Sequence, residues 1–320
     1  MRRIAAGLAI AALCASALLL GADEVAAESS AVEAAPGTCG AGASLALQIL
    51  GSGGPELRAG RASAAYIVWI EGRARLLIDV GGGSFLRFGE AGAAVEDLWH
   101  IGLTHVHVDH SADLAVLVKA GYFTPRSRAL GISGPSGAGA FPPLDEFLRR
   151  LFGEGGAYAY LRGALDGSDG QFALQPRVVD ATPGRRERVF DRDAVQVEAI
   201  GVRHGPVPAL AYIVSTAGHT VVFAGDQDGK TRSFWTAAAD ADILVAHVAI
   251  TDDAGPVASR LHATPTRWAA GAARARVKRL VLSHLMARSL AAMENVQAAI
   301  AAEYAGPVML AQDRACVVID

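Results

Sequence analysis

Three histidines and one aspartate fall within the stretch Thr104-His105-Val106-His107-Val108-Asp109-His110. Imidazole nitrogens and carboxylate oxygens at that density suit one or two divalent metal ions of borderline softness. In an extended segment alternate residues face the same way, which puts His105 and His107 on one side. A turn after them brings Asp109 and His110 round to a second point. Two cations that share one water lower its pKa and clamp the oxygens of the attacked group, so hydrolysis is the chemistry this cluster supports.

The elements that must position these residues read as strands first and as alternating strands and helices later. Ser44–Leu50 is strand-like and ends in the loop Gly51-Ser52-Gly53-Gly54-Pro55. Tyr66–Ile70 and Leu76–Val80 flank Glu71-Gly72 and form a hairpin. Gly81-Gly82-Gly83 is a tight turn rather than a phosphate loop, because no Gly-x-x-x-x-Gly-Lys pattern follows, and Ser84 is placed to cap a short helix. Ile101–Leu103 is a brief buried strand that runs straight into the histidine cluster. Further strands are expected at Val195–Ile200, Leu210–Ser215, Thr220–Phe223, Ile243–Ala246, Arg279–Leu282, Val308–Leu310 and Cys316–Ile319. Helices are expected at Ser111–Lys119, Asp145–Phe152, Thr231–Ala239, Pro265–Ala275 and Ala291–Tyr304. Residues 141–170 read as a surface insertion whose Phe152, Tyr158 and Tyr160 either line a pocket or cover an edge of the fold. The run Arg185-Arg186-Glu187-Arg188 reads as a solvated loop, and His100 and His219 as surface residues.

His105-Val106-His107-Val108-Asp109-His110 resembles the H-x-H-x-D-H signature of the metallo-β-lactamase-fold hydrolases. Four more elements follow the family in order: Asp79-Val80-Gly81, Arg203-His204-Gly205, Ala224-Gly225-Asp226 and Leu282-Ser283-His284-Leu285. The resemblance spans most of residues 44–320 and implies one α/β (α+β) domain, a four-layer αββα sandwich with the site at one edge of its sheets. It implies a first metal on His105, His107 and His204 and a second on Asp109, His110 and His284. Asp226 would bridge them, and Asp79 would buttress the loop. Zinc is the default pair of ions, with manganese or iron as alternatives. A metal-bridging hydroxide would attack a phosphodiester, phosphate or sulfate ester, with Asp109 and His262 as the catalytic positions. The C-terminal half is most similar to the ribonuclease Z and arylsulfatase-like branch. There the histidine of a His-small-Thr segment, here His262-Ala263-Thr264, protonates the leaving group, and a His-Glu pair often stands where this chain has His247-Val248. Alternatives on the same site are a lactone or acyl-ester hydrolase, or a metal- or ligand-binding protein without catalysis.

Composition narrows the class of partner. The chain has 320 residues, 52% hydrophobic and 19% charged, which suits a globular core and excludes a disordered or coiled-coil protein. Its 29 basic and 32 acidic residues give a net charge of -3. That balance leads to the expectation of a small-molecule ester substrate, no nucleic acid and no role in transfer-RNA processing. Arg2 and Arg3, the apolar run Ile4–Leu20 and Val25-Ala26-Ala27 form a cleavable signal peptide over residues 1–27. Residues 28–43 then form a flexible lead-in, and the mature protein is periplasmic or secreted with no stable membrane anchor. Cleavage removes Cys14 and leaves Cys39 and Cys316, which are expected to pair in an oxidising compartment if the first and last strands are neighbours.

Overall fold

The computed structural model describes residues 39–58 and 60–319; the signal peptide expected over 1–27 and lead-in residues 28–38 lie outside the described residues. The strands are β1 (Leu45–Gly51), β2 (Ala65–Ile70), β3 (Arg73–Ile78), β4 (His100–Gly102), β5 (Leu130–Pro135), β6 (Leu174–Val179), β7 (Arg186–Arg192), β8 (Val195–His204), β9 (Val207–Thr216), β10 (His219–Phe223), β11 (Ile243–His247), β12 (Leu280–Ser283), β13 (Val308–Leu310) and β14 (Cys316–Ile319). The helices are α1 (Ser84–Glu90), α2 (Val108–Ser111), α3 (Leu114–Gly121), α4 (Leu144–Phe152), α5 (Gly163–Asp166), α6 (Arg232–Ala237), α7 (Ala258–Leu261), α8 (Pro265–Arg274), α9 (Ala287–Ala291) and α10 (Met293–Glu303). Two seven-stranded sheets form, ordered β14-β1-β2-β3-β4-β5-β6 and β13-β12-β11-β10-β9-β8-β7. Both are mixed: hairpins give antiparallel pairs such as β8 with β9, and helical crossovers give parallel pairs such as β10 with β11. No helix among the described residues is long and apolar enough to cross a membrane.

Strand alternation builds the layers. Leu45, Leu47, Ile49, Tyr66 and Val68 face the second sheet and meet Val197, Leu210, Tyr212 and Phe223. Their neighbours Ala46, Leu50, Ile67 and Trp69 face the opposite way, onto Phe88, Leu114, Leu117 and Leu148 of the outer helices. The far side of the second sheet packs on Phe234, Trp268, Val296 and Ile300. Strands buried on both faces read as near-continuous apolar runs, as β1 and β2 do. The result is the αββα sandwich.

Four readings change. Within residues 141–170, α4 is not a surface element: it lies on the path from β5 to its parallel neighbour β6, with Leu144, Leu148 and Phe152 at most 1% exposed, whereas Tyr158 and Tyr160 are exposed. Burying side chains of that size contributes roughly 1.5–3 kcal/mol each, so the helix is an outer layer of the core. Arg186–Arg188 belong to edge strand β7, where Arg186 pairs with Glu198 across to β8. His100 is 3% exposed and faces Ser133 Oγ at 2.8 Å, as a core residue of β4. Gly83 rather than Ser84 precedes the first turn of α1.

Cys39 and Cys316 are joined, with Cα atoms 5.6 Å apart. The bond follows from register, since β1 lies antiparallel to β14 with Gln48 opposite Cys316. Cys39 is 5% exposed, so the last part of the lead-in is tied down against the first strand.

Candidate metal centre

The site forms where strands end. β3 and β4 in one sheet, and β8, β10, β11 and β12 in the other, each deliver a polar residue at or just past their C-terminal ends. Open α/β sheets place their ligands outside those ends. In the first sheet Asp79 follows β3 and takes three hydrogen bonds: from Thr104 N at 2.7 Å, Thr104 Oγ1 at 2.9 Å and His110 Nδ1 at 2.8 Å. These contacts hold Asp79 in the left-handed region, at φ 58°. Since Thr104 Oγ1 donates to Asp79, it accepts from His105 Nδ1 at 3.0 Å. His107 then enters α2, and its first turn carries Asp109 and His110. Gly81 makes this approach possible, because a Cβ there would lie 2.2 Å from the Asp109 carbonyl oxygen.

The second sheet supplies the rest. His204 ends β8 and donates Nδ1–H to the Leu261 carbonyl at 2.8 Å. Asp226 lies just past β10, His247 ends β11, and His284 follows β12 with φ 54°. Gly54 closes over His284, where a Cβ would sit 2.7 Å from its Cε1. His262 lies between α7 and α8, two residues before the Thr264 hydroxyl that accepts from Arg267 N and caps α8.

Asp226 sits at the middle of the set. Its Oδ2 is 3.8 Å from His110 Nε2, 3.8 Å from His204 Nε2 and 3.7 Å from His262 Nδ1. Its Oδ1 is 2.7 Å from His247 Nδ1 and 3.5 Å from His284 Nε2. Asp109 Oδ2 is 3.1 Å from His284 Nε2 and 3.5 Å from His110 Nε2. His105 Nε2 and His107 Nδ1 face each other at 2.9 Å. Ligand atoms of His105, His107 and His204 converge within 4.8 Å of one another, as do those of His110, Asp226, His247 and His284, and those of His204, Asp226 and His262.

The donor chemistry fits a cation. His110 and His204 have each given one N–H to a fixed acceptor, and their Nε2 atoms are buried without a hydrogen-bond partner. A histidine oriented by a carboxylate or carbonyl, with its other nitrogen aimed inward, is how proteins present imidazole to a metal. Burial and then the neighbouring histidines push His105 well down, so that ring is neutral. Burial raises both Asp226 and Asp109, but the surrounding histidines outweigh it and hold the two carboxylates below their usual range. Two ionised carboxylates in a buried pocket of imidazoles call for positive charge.

All seven candidate metal ligands and His262 are thus brought together. His247 is a member that sequence reasoning did not place here. Besides Asp226, its ring faces Tyr66 OH at 3.0 Å, and that hydroxyl in turn donates to Ser283 Oγ at 2.8 Å. The signal was a polar residue closing an apolar run: β11 lies beside β10 in parallel register, so the end of one strand must meet the segment that follows the other.

An αββα sandwich with a histidine–aspartate cluster at its strand ends, able to hold a divalent metal, defines a class of metal-dependent hydrolases. Residues 75–285 match the model of the beta-lactamase superfamily domain. A ribonuclease Z of Mycobacterium avium (strain 104) is 31% identical over 284 residues, covering 85% of this chain and 97% of that protein. The crystal structure of human tRNase Z, short form, superposes with a TM-score of 0.65 at 20% identity, over 86% of this chain and 99% of that one. Unliganded yeast PDE1 superposes with a TM-score of 0.66 at 12% identity, over 87% of this chain and 100% of that one. The chain belongs to the metallo-β-lactamase superfamily, close to ribonuclease Z, and is a hydrolase of that family. The expectation of a small-molecule ester with no nucleic acid is corrected by the relatives at about 30% identity, which are ribonuclease Z enzymes. Net charge misled because it averages the whole surface, whereas a strand of RNA meets only the part around the site.

Proposed function

We propose that this protein is an exported, dinuclear metal-dependent phosphodiesterase that cleaves an RNA strand. The observation that carries the reading is Asp226 at the centre of the cluster: its Oδ2 faces both His204 and His110, and its Oδ1 faces His284. His105, His107 and His204 would hold one ion; Asp109, His110 and His284 would hold the other, with Asp226 shared between them. Zinc suits this all-nitrogen-and-oxygen set. When bound, such a pair supplies a water of lowered pKa and positive charge for the phosphate oxygens.

The chain's own groups do the rest. Asp79 fixes the His110 ring and, through Thr104, the His105 ring; the Leu261 carbonyl fixes His204; His247 fixes Asp226 through its Oδ1. His262, beside Asp226, is assigned to the leaving oxygen. RNA as substrate is supported by the similarity to ribonuclease Z across 85% of the chain. Export is supported by the leader-like residues 1–27 and by a disulfide, a bond that persists in oxidising compartments.

Elemental analysis of the purified mature protein should give two metal ions per chain, and Asp226→Ala should lose metal and RNA cleavage together. Full cleavage by a protein holding one ion or none would overturn the dinuclear reading. N-terminal sequencing of protein recovered from the periplasm or medium should begin at Glu28.

A further inference from the structure

We infer that a basic cleft leading away from His204 is the track along which the phosphates of the RNA strand are seated. This rests on the RNA reading above and adds where the strand runs. A cleft of about 800 Å³ opens beside the metal centre, with His204 in its lining together with Arg203, Lys230 and Arg260. A second recess of about 460 Å³ shares Pro183, Arg203 and Lys230 with the first and continues to Arg232. The two therefore form one channel from a candidate metal ligand outward.

Four cations line this channel against one carboxylate. Asp228 is 2% exposed and lies 3.4 Å from Arg203 Nε and 3.7 Å from Lys230 Nζ. It also accepts from the Lys230 backbone N at 3.0 Å, so it anchors the loop that carries the lysine. Arg232 and Arg260 have no carboxylate partner among the described residues. The channel thus carries an excess of three positive charges on a chain whose net charge is -3. Some surface arginines elsewhere are paired, as Arg149 is with Asp145 and Arg276 with Asp240, and others such as Arg274 and Arg288 are scattered singly on helices α8 and α9 rather than gathered in a groove. Four cations sharing one carboxylate in a single groove, next to a centre proposed to attack a phosphodiester, match the repeating charge of a nucleic-acid backbone.

The test compares wild type with the triple variant Lys230→Gln, Arg232→Gln, Arg260→Gln, all three being exposed side chains. Bound metal and the thermal midpoint report whether the fold and centre survive. Anisotropy of a labelled single-stranded RNA gives Kd at several salt concentrations. The expected result is a rise in Kd of at least ~10-fold and a salt slope shallower by about two, from three lost phosphate contacts. The ratio of kcat/KM for RNA to that for bis(p-nitrophenyl) phosphate, which reaches only the centre, should fall at least ~10-fold through KM. Wild-type Kd and slope in the metal-loaded variant would overturn the track and leave the RNA reading standing. Loss of salt-dependent binding in the variant, with a wild type that binds RNA but does not cleave it, would uphold the track and overturn the RNA-cleavage reading. A wild type that does not bind RNA would overturn both.

Discussion

At the residue scale, what distinguishes the site from an ordinary polar pocket is how its rings are oriented. Asp79 and the Leu261 carbonyl each take one imidazole N–H, which turns the opposite nitrogens of His110 and His204 into the site. His262 is held differently, because its Nδ1 is buried without a hydrogen-bond partner, as is that of His284. Burial pushes this ring down to about 3, so taking up a proton for the role proposed above needs negative charge beside it. His262→Ala should keep its metal yet slow RNA cleavage by roughly 10²–10⁴-fold, the span of general acid catalysis. The same change should slow bis(p-nitrophenyl) phosphate far less, since p-nitrophenolate leaves without help; equal losses on both substrates would remove the proton-donor role. His100 belongs to the core instead, and its titration is a matter of stability. Burial lowers it from 6.5 to about 3, so the folded protein holds it neutral where the unfolded chain would protonate it. Its contribution is complete above pH 6.5 and is lost as pH falls toward 3. Between pH 7.5 and pH 5 that amounts to about 2 kcal/mol. Urea titrations at the two pH values should show His100→Gln losing less stability on acidification than wild type, by about that amount.

At the element scale, most of what carries the site could be read from apolar runs, because strands buried on both faces leave an uninterrupted pattern. β1, β2 and β11 are of this kind, and β1 and β11 end near candidate ligands, as does β10 with its buried Val221–Phe223. The H-x-H-x-D-H stretch was legible for a different reason: its spacing alone implies converging donors. Three strands escaped: interior β5, whose Leu-Gly-Ile-Ser-Gly-Pro is broken by glycines, and the edge strands β6 and β7. β6 carries Pro176 and four exposed residues in a row, and β7 is rich in arginine. An edge strand has solvent along one side and needs no apolar alternation, and proline or charge there deters further pairing. His100 was misread because a single polar residue at the start of a short strand gives no periodicity to judge by. His247 was missed because pairing between strands 20 residues apart is not written in either one. The loop after β1 is legible only as glycine-rich, yet it covers the last ligand. Gly54→Ala would drive a methyl to 2.7 Å from the His284 ring, and both backbones would have to yield. Metal affinity should fall about 10–100-fold, as when a ligand loses its orienting contacts, while far-ultraviolet circular dichroism stays that of wild type. Unaltered metal affinity would mean the loop adapts.

At the scale of the whole molecule, the second sheet is built from the consecutive strands β7 to β13, whereas the first joins β1–β6 to β14 from the far end of the chain. The disulfide there spans 277 residues. The chain-entropy account gives about 5–6 kcal/mol for a loop that long, and measured values commonly fall nearer 2–4 kcal/mol. Cys39→Ser with Cys316→Ser should therefore lower the urea midpoint by a corresponding amount while leaving the metal centre loaded, since neither sulfur approaches it; an unchanged midpoint would assign the bond no thermodynamic weight. The same link makes residues 39 to 316 a covalent ring. A protease that cuts once in an outer loop, such as the glycine-rich turn at Gly167–Gly170, would open the ring without dividing it. The nicked protein should migrate as one species under non-reducing electrophoresis and as two once thiol is added. The old ends, already joined, could be fused by a short peptide and new ones opened at that turn, giving a circularly permuted chain with the same sheets.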